Sequence, residues 1–479
     1  MVKKILLVIV CVLLAAAMLA GCNESYKTKA IPTDTSDSTV TSNGGLAVRY
    51  GKYLYYINGY AGNEVDNTFG EVQKGAIARV ELDQNGNPLK STNTVVVSKN
   101  VYNTTATSGL YISGGYLFYS TPSIDKDSKG EPKIAQMWLM KTKLDGTDTK
   151  VVKKFDDYTV VYQVVDGYVL YVKENELHAI DTNSKKFTDT KIDEEVNAYV
   201  FPRYQEGQND FVNSVFYLKA ADNENSYHNV LWYYRAGGEP QKVLEANAET
   251  YGVESVYPGG FKLTLVEAVY AGDKVRLIYN KTDQGTNKTS EGTYSYDFDT
   301  SLAFLPANEI RYAKKTTYKN FRFLNNDTAI VSNGNNVDML YKEGADWARK
   351  TLIPGSSEVK VLDIEESDNE VSVYYLFSNV VYRIPVLQKT VIDNTVTYSE
   401  NIKSSSIVFD GSFSTSWLSL DLVGNTLYYF NSDVLENTYY LNLNEVIERD
   451  ADSRTGTLLG IVTAEDEIAL LTSDSAEAE

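Results

Sequence analysis

The sequence has little of what catalytic and metal sites require. It contains only two histidines, His178 and His228, and two cysteines among 479 residues. Neither histidine belongs to a His-Glu-x-x-His motif or to another closely spaced ligand set, so the pattern does not indicate a zinc site. The sequence also lacks a Gly-x-Ser-x-Gly turn, a phosphate-binding Gly-Lys-Ser/Thr loop and a dinucleotide-binding glycine pattern. We therefore expect no cofactor, no metal and no enzymatic activity.

Positive charge is also scarce. The chain has 45 Lys and Arg against 64 Asp and Glu, a formal net charge of -19. Such a surface repels nucleic acid and anionic lipid, and it supports solubility. We expect no nucleic-acid partner, and we expect the chain to be a monomer.

Only the N-terminus carries a long apolar run. Lys3 and Lys4 precede the apolar residues Ile5 to Leu14, small residues follow, and the segment ends in Leu19-Ala20-Gly21-Cys22. This order resembles the signal of bacterial lipoproteins. The resemblance implies removal of residues 1–21, a diacylglycerol and fatty acyl groups such as palmitate on Cys22, and an extracytoplasmic chain anchored to the bacterial cell membrane. The alternative is an ordinary transmembrane helix, for which the run is short, since spanning needs roughly 20 apolar residues.

The composition of the two ends of the chain predicts that they are unstructured. Residues 22–44 are rich in Thr, Ser, Asp and Lys, which predicts a flexible tether after the lipidated cysteine. Residues 466–479 form an acidic C-terminal tail. Because Cys11 leaves with the signal, the mature chain has no disulfide partner for Cys22.

Between these ends a short aromatic strand recurs after Gly or Asn turns. Tyrosine is abundant, with 37 residues, and aromatic residues favour strands. The copies lie at 52–57, 116–119, 168–172, 214–218, 275–279, 371–376 and 426–430, with a weaker one at 328–331. About eight units at intervals of roughly 40 to 60 residues are typical of four-stranded propeller blades.

One unit can be divided into strands directly. In the second unit we predict strands over Leu110 to Ser113, Tyr116 to Ser120, Gln136 to Leu144 and Lys150 to Phe155. Several strands are apolar on both faces, which a blade between two other blades would cover. Separate β-sandwiches would repeat at longer intervals and alternate more cleanly. We predict an all-β propeller of four-stranded antiparallel blades over residues 45–465, with eight blades favoured and seven the alternative.

A family resemblance follows from the same unit. The segment from Trp138 to Thr147, which contains the Asp145-Gly146 turn, resembles the repeat of bacterial lipoproteins with a β-propeller similar to that of low-density-lipoprotein-receptor-related proteins. The resemblance implies the fold and a surface-anchored binding role, in a group of unknown function. The Tyr-Trp-Thr-Asp tetrapeptide of the eukaryotic relatives is absent from this sequence.

The loop lengths predict where a ligand binds. In four-stranded blades, the loop between strands two and three opens on the same end as the connection to the next blade. These loops are long at 59–75, 121–135, 221–229 and 280–292, as are the connections near 251–260 and 308–320, whereas most of the opposing turns have two to five residues. Because loops on a rigid frame carry recognition, we expect this end to bind a ligand, with Tyr60, Phe69, Tyr227 and His228 as candidate contacts.

One basic run interrupts the acidic sequence. It contains Arg311, Lys314, Lys315, Lys319 and Arg322, interleaved with aromatic residues. We take Lys314 and Lys315 as further candidate ligand contacts, for an anionic polymer. The alternative is a solvated connector beside a strand.

Two functions remain open from the sequence. The favoured one is a non-enzymatic binding or scaffolding lipoprotein whose long-loop end contacts a peptide, a glycan or an envelope protein. The alternative is an envelope-acting glycoside hydrolase or lyase with carboxylates in the central funnel, for which two carboxylates must lie about 5 to 10 Å apart.

Overall fold

The computed structural model describes twenty stretches of the chain. These are residues 25–26, 29–61, 67, 69–101, 109–123, 128–129, 133, 136–202, 211, 213–220, 228–252, 261–283, 291–314, 316–333, 336–355, 359–378, 380–409, 420–431, 437–443 and 456–462. The predicted signal peptide, Cys22 and the predicted tail (466–479) lie outside the described residues.

Eight antiparallel sheets, most of them four-stranded, form a ring, so the chain is a β-propeller. Two short N-terminal strands, β1 (Ser25–Tyr26) and β2 (Val40–Thr41), add to blades 2 and 1 respectively. Blade 1 contains β3 (Ala47–Tyr50), β4 (Tyr53–Ile57), β5 (Ile77–Leu82) and β6 (Pro88–Val97). Blade 2 contains β7 (Tyr111–Ser113), β8 (Tyr116–Pro122), β9 (Met137–Lys143) and β10 (Thr149–Phe155). Blade 3 contains β11 (Tyr162–Val165), β12 (Tyr168–Lys173), β13 (Glu176–Asp181) and β14 (Asp189–Asp193). Blade 4 contains β15 (Ala198–Val200), β16 (Ser214–Ala220), β17 (His228–Arg235) and β18 (Gln241–Glu245).

The second half of the ring repeats the pattern. Blade 5 contains β19 (Phe261–Ala271), β20 (Lys274–Asp283), β21 (Gly292–Phe298) and β22 (Ile310–Lys314). Blade 6 contains β23 (Lys319–Asn325), β24 (Thr328–Ser332), β25 (Asn336–Glu343) and β26 (Asp346–Pro354). Blade 7 contains β27 (Lys360–Glu366), β28 (Glu370–Phe377), β29 (Val380–Ile392), β30 (Thr395–Glu400) and β31 (Ser406–Phe409), which also pairs with β29. Blade 8 contains β32 (Leu420–Val423), β33 (Thr426–Phe430), β34 (Thr438–Asn442) and β35 (Thr457–Leu458). The first of the main strands lies at the ring centre and the last at the rim. The prediction of eight blades is confirmed.

The repeated aromatic segment is the second main strand of every blade. The eight copies found in the sequence correspond to β4, β8, β12, β16, β20, β24, β28 and β33. These strands are buried on both faces because each lies between two neighbouring blades. In β20, Leu277 and Tyr279 join the cluster shared with blade 4, whereas Ile278 between them joins the cluster shared with blade 6. Alternating side chains of one strand thus bind two neighbours together.

The ring closes through side chains of the first and last blades. Thr438 of blade 8 donates its hydroxyl to the Ile57 carbonyl at 2.6 Å and accepts the Gly59 N–H at 2.7 Å. The Asn58 side chain donates to the Ile461 carbonyl at 3.0 Å and accepts its N–H at 2.7 Å. Around these bonds lies one apolar cluster that contains residues of blades 8, 1 and 2. Blades 8 and 1 therefore meet as the other neighbours do.

The N-terminal segment lies along blades 1 and 2. β1 pairs with β10 at the outer edge of blade 2, with Ser25 opposite Lys150. Ile31 then donates its N–H to the Asp145 carbonyl at 2.9 Å, and Asn43 exchanges two side-chain bonds with the backbone of Ile112. The predicted flexible tether over 22–44 therefore differs from the structure, in which residues 29–44 contact the blades. The polar composition of this segment predicted flexibility, since few of its side chains can be buried. Composition does not reveal hydrogen-bond partners that are distant in the sequence.

Helical structure is limited to short pieces between strands. The described helices are one four-residue turn, α1 (Ala248–Tyr251), and one 3-10 turn at Pro306–Asn308. In the described part of the chain, neither helical turn has the length and apolar character that spanning a membrane requires.

Candidate functional site: the long-loop face and the central channel

The long loops open on one end of the ring, which we call the long-loop face. The loops between the second and third main strands span 58–76, 123–136, 221–227 and 284–291 in blades 1, 2, 4 and 5. In blades 3 and 7 the same loop has only two residues, 174–175 and 378–379. On the opposite end most turns are short, but blades 4, 5 and 8 have longer segments between strands there, over 201–213, 299–309 and 443–456. The connection expected over 308–320 is in part strand, because β22 and the start of β23 lie within it.

A buried polar cluster fixes the long-loop face at blades 1 and 2. The Asn67 side chain donates to Thr121 Oγ1 and to the Pro122 carbonyl, both at 2.9 Å, and accepts the Asn100 N–H at 2.9 Å. Lys99, which is fully buried, donates to the Asn67 carbonyl at 3.0 Å. Buried polar groups that are satisfied in this way hold loops in one conformation. The loop of blade 1 is therefore fixed at its base.

The candidate contacts named from the sequence are not gathered in one place. Tyr60 and Phe69 belong to the blade 1 loop and are partly buried against the apolar cluster of blades 8, 1 and 2. His228 begins β17 in blade 4, and exposed Lys314 ends β22 in blade 5. Tyr227 and Lys315 lie outside the described residues. The candidates thus belong to three blades, and Tyr60 and Phe69 also contribute to packing.

A cavity of about 320 Å³ lies in the central channel, lined by residues of the inner strands of blades 2, 3 and 5. Its wall includes Tyr111, Gln163, Phe201 and Glu267. The side-chain amide oxygen of Gln163 is buried and has no hydrogen-bond partner in the described structure. A β-bulge in β19 between Leu265 and Glu267 changes which side chains of this strand share a face.

Two inner-strand carboxylates accept hydrogen bonds from the backbone of a neighbouring blade. Glu267 of blade 5 accepts the backbone N–H of Phe321 in blade 6 at 2.5 Å. Asp421 of blade 8 accepts the backbone N–H of Ala47 in blade 1 at 3.1 Å. The same type of contact therefore recurs at two blade interfaces.

Asp363 differs from these carboxylates. It lies on the inner strand β27, just after a bulge, and burial raises its pKa despite a hydrogen bond from the Ile364 backbone and the charge of Arg322. A carboxylic acid that keeps its proton above its ordinary range is the kind of group that serves as a general acid.

An ionisable cluster around Glu309 is buried between strands. Glu309 accepts hydrogen bonds from Lys281 Nζ at 2.8 Å and from the phenols of Tyr251 and Tyr279. The Glu309 side chain is only 6% exposed and the Lys281 side chain 3%. Burial, followed by the Glu309 charge, raises the pKa of both tyrosines. Because the pair is closed to solvent, its role is structural. Sequence reasoning missed it because these residues lie on separate segments of blades 4 and 5.

His178 lies in β13 beside a carboxylate. Asp189 Oδ1 is 3.3 Å from His178 Nδ1. Asp189 Oδ2 accepts hydrogen bonds from Lys153 Nζ at 2.5 Å and from the Tyr171 phenol at 2.8 Å. Burial opposes ionisation of Asp189, but these three hydrogen bonds outweigh it and lower its pKa. Among the described residues, no group of three or more His, Cys, Asp or Glu side chains is arranged to hold a metal ion.

No protein-family model matches this sequence, and no curated protein sequence matches it. Several solved structures have a similar fold. A prolyl endopeptidase is 13% identical, with a TM-score of 0.41 over 75% of this chain and 50% of that chain. Apo AztD from Citrobacter koseri is 12% identical, with a TM-score of 0.38 over 79% of this chain and 91% of that one. An oligogalacturonate lyase is 9% identical, with a TM-score of 0.33 over 83% and 85%. This chain spans about half the length of the prolyl endopeptidase. At such identities and scores these matches carry no argument about activity, and what they share with this chain is the β-propeller fold.

Proposed function

We propose that this chain is a non-enzymatic binding or scaffolding module of the bacterial cell envelope, anchored through a lipid on Cys22, whose ligand contacts the long-loop face. The observation that carries the proposal is the buried cluster around Asn67, which holds the base of a long loop on a rigid frame. Preformed loops bind with a small loss of conformational entropy. The proposed ligand is a peptide, a glycan or an envelope protein.

The proposed anchor also sets how the ring stands on the membrane. Ser25 pairs with the outer strand of blade 2, and Cys22 precedes it by three residues. Three extended residues span at most about 10 Å, so a lipid on Cys22 would hold the edge of blade 2 near the membrane. Blade 6, four blades further around the ring of eight, would then face away from it.

The proposal is tested by shortening one loop on each end of the ring. Residues 62–66 are replaced by Gly-Ser, which keeps Asn67 and Phe69 in place, and the matched control removes five residues, 204–208, from the blade 4 loop on the opposite end. Both variants are compared with the native chain for crosslinked partners on intact cells, after thermal unfolding has shown that they fold. Loss of partners only in the 62–66 variant supports the proposal. Equal recovery in both variants contradicts it.

A glycoside hydrolase or lyase that acts in the channel is the second candidate, and Asp363 is the observation that favours it. An enzyme of this kind loses turnover when Asp363 is replaced by Asn although the ring still folds. Release of reducing ends or unsaturated sugars from envelope polysaccharides is measured for the native chain and for D363N. Activity that D363N abolishes and D273N, at an exposed turn of blade 5, retains would establish the enzyme, whereas no release by the native chain would exclude it for those substrates.

A further inference from the structure

The structure divides the basic run of the sequence between two places. Lys319 and Arg322 lie on β23, the inner strand of blade 6. Arg311 and Lys314 lie on β22, the outermost strand of blade 5. The outermost strand of blade 6, β26, contacts β22 and brings a third cation, Arg349, that is 35 or more residues further along the sequence. The cations that converge are therefore not those that are consecutive in the sequence.

These two outer strands enclose a groove of about 490 Å³ at the rim of the ring, which we call the blade 5–6 groove. Arg311, Lys314 and Arg349 supply its positive charge, and exposed Asp346 is the one carboxylate among the described residues of its wall. Tyr312 and Trp347 form an aromatic part of the wall, with ring centroids 4.8 Å apart and planes at 73°. The groove has the size and the mixture of aromatic and polar groups that small-ligand sites have.

Two cations line the blade 5–6 groove without a described carboxylate in ion-pair contact. In the described part of the chain, neither Lys314 nor Arg349 forms an ion pair, whereas the adjacent Lys350 pairs with Glu400. The Tyr318 phenol lies beside Arg349 in the groove wall and, with a smaller effect of the Asp338 charge, raises the pKa of this guanidinium. Cations left unpaired on a chain of net charge -19 indicate an anionic ligand.

Arg311 gives a second, independent indication. Its Nη2 donates to the Glu291 carbonyl, and its guanidinium lies 5.5 Å from the centroid of the Tyr294 ring. Its Nε is buried and has no hydrogen-bond partner within the described structure. A buried donor without a partner is unfavourable, and an oxyanion in the groove would compensate by interacting with the guanidinium charge.

We propose that the blade 5–6 groove binds an acidic glycan, a chain of sugar units that carry carboxylate or phosphate groups. Arg311, Lys314 and Arg349 bind the acidic groups, and Trp347 packs against the apolar face of a sugar ring. Guanidinium groups match carboxylate and phosphate geometry, and aromatic rings bury apolar surface while neighbouring polar groups stay hydrated. The groove lies between two outer strands at the rim, and the argument for it uses none of the long loops between second and third strands, so it does not depend on the function proposed above.

The shape of the groove favours a glycan over a peptide. A peptide commonly joins a sheet as an added strand, through backbone hydrogen bonds to one exposed edge. The blade 5–6 groove instead lies between two outer strands and presents charged and aromatic side chains. Recognition by cations beside an aromatic ring suits a charged sugar, whose ring has an apolar face and whose substituents are ionic.

The proposal is tested by titrating the folded chain with four probes of similar length. These are penta-galacturonate, a five-unit poly(glucosyl phosphate), maltopentaose and penta-glutamate. Lys314 and Arg349 are both exposed, so K314Q/R349Q should fold, and K90Q/K186Q removes two exposed charges elsewhere as the matched control. Binding is measured by calorimetry at low and high salt, and by tryptophan fluorescence in the native chain and in W347F.

We expect at least one acidic glycan to bind, with an affinity that falls as salt rises, because the contact is electrostatic. K314Q/R349Q should weaken it about tenfold or more while K90Q/K186Q leaves it unchanged. W347F should remove the fluorescence change. The two acidic probes distinguish carboxylate from phosphate as the preferred group. Equal binding by K314Q/R349Q, equal or tighter binding of penta-glutamate or maltopentaose, or no binding of either acidic glycan would each overturn the proposal.

Discussion

The Thr438 hydroxyl donates to the Ile57 carbonyl at 2.6 Å, although the two residues are 381 positions apart in the sequence. This bond joins the third main strand of blade 8 to the end of the second strand of blade 1. Thr438 is fully buried and also accepts the Gly59 N–H at 2.7 Å, at the start of the long blade 1 loop. The contact that closes the ring therefore also positions the long-loop face.

Replacing Thr438 by Val should destabilise the ring. Valine keeps the shape but leaves the Ile57 carbonyl and the Gly59 N–H buried without this partner, which costs about 1 to 3 kcal/mol. The free energy of unfolding in urea measures the loss, and T397V, at an exposed threonine, is the control. Equal stability of T438V and the native chain would show that the hydroxyl does not contribute to closure.

Gly45 should not tolerate a side chain. A Cβ at this position would lie 1.8 Å from Asp421 Oδ2, the carboxylate that accepts the Ala47 N–H across the same interface. G45A should therefore displace Asp421 and lower the midpoint of urea unfolding. The control is G86A, where a Cβ meets no atom within 4 Å, although its φ of +84° makes some strain unavoidable. A loss in G45A no larger than in G86A would contradict the close approach.

Arg79 should hold the N-terminal segment on blade 1. Its guanidinium donates to Thr33 Oγ1 at 2.7 Å and to the Pro32 carbonyl at 3.0 Å, and it lies 4.4 Å from the centroid of the Tyr53 ring. R79Q removes the charge and one of these contacts, so amide hydrogens of residues 31–41 should exchange faster while those of blade 5 do not change. The control is R235Q, at an exposed arginine of blade 4. Unchanged exchange in R79Q would show that the segment is held by other contacts.

Asp189 should make stability depend on pH at the acid end. Its pKa is lower in the folded chain than in the unfolded chain, so the unfolded chain binds more protons once pH falls to about 4. The stabilisation is thus complete above that pH and is lost as pH falls through the lower folded-state pKa. D189N should reduce stability at neutral pH and show a smaller further loss between about pH 5 and pH 2.

Urea unfolding across this pH range measures the difference. D368N, which removes a charge from an exposed turn of blade 7, controls for the change in net charge. A pH dependence in D189N as steep as in the native chain would mean that the His178, Lys153 and Tyr171 bonds do not stabilise the ionised carboxylate.

Much of the fold could be predicted from the sequence because its signals are local. The repeated aromatic strands gave the number of blades, and the four strands predicted in the second unit agree with β7 to β10 within about two residues. The signals that failed depend on distant partners. Residues 29–44 look like a tether until Arg79 and Ile112 are seen to bind them.

The sites were less predictable for the same reason. The basic run suggested one patch, but the strand order places Arg322 on the inner strand of blade 6 and Arg311 at the rim, where Arg349 of the next blade lies beside it. Nothing near Arg349 in the sequence marks it as a partner of Arg311. The lengths of the loops could be predicted from the sequence. The partial burial of Tyr60 and Phe69 could not, because a loop sequence alone does not show what its side chains pack against.

Site-specific photocrosslinking on intact cells tests the proposed long-loop face most directly. A photoreactive residue is placed at exposed Glu71 on the long-loop face and, as the matched position, at exposed Lys52 in the short turn on the opposite end of blade 1. The account predicts a reproducible crosslinked species from position 71 and none of it from position 52. The same species from position 52, with nothing from position 71, would contradict it.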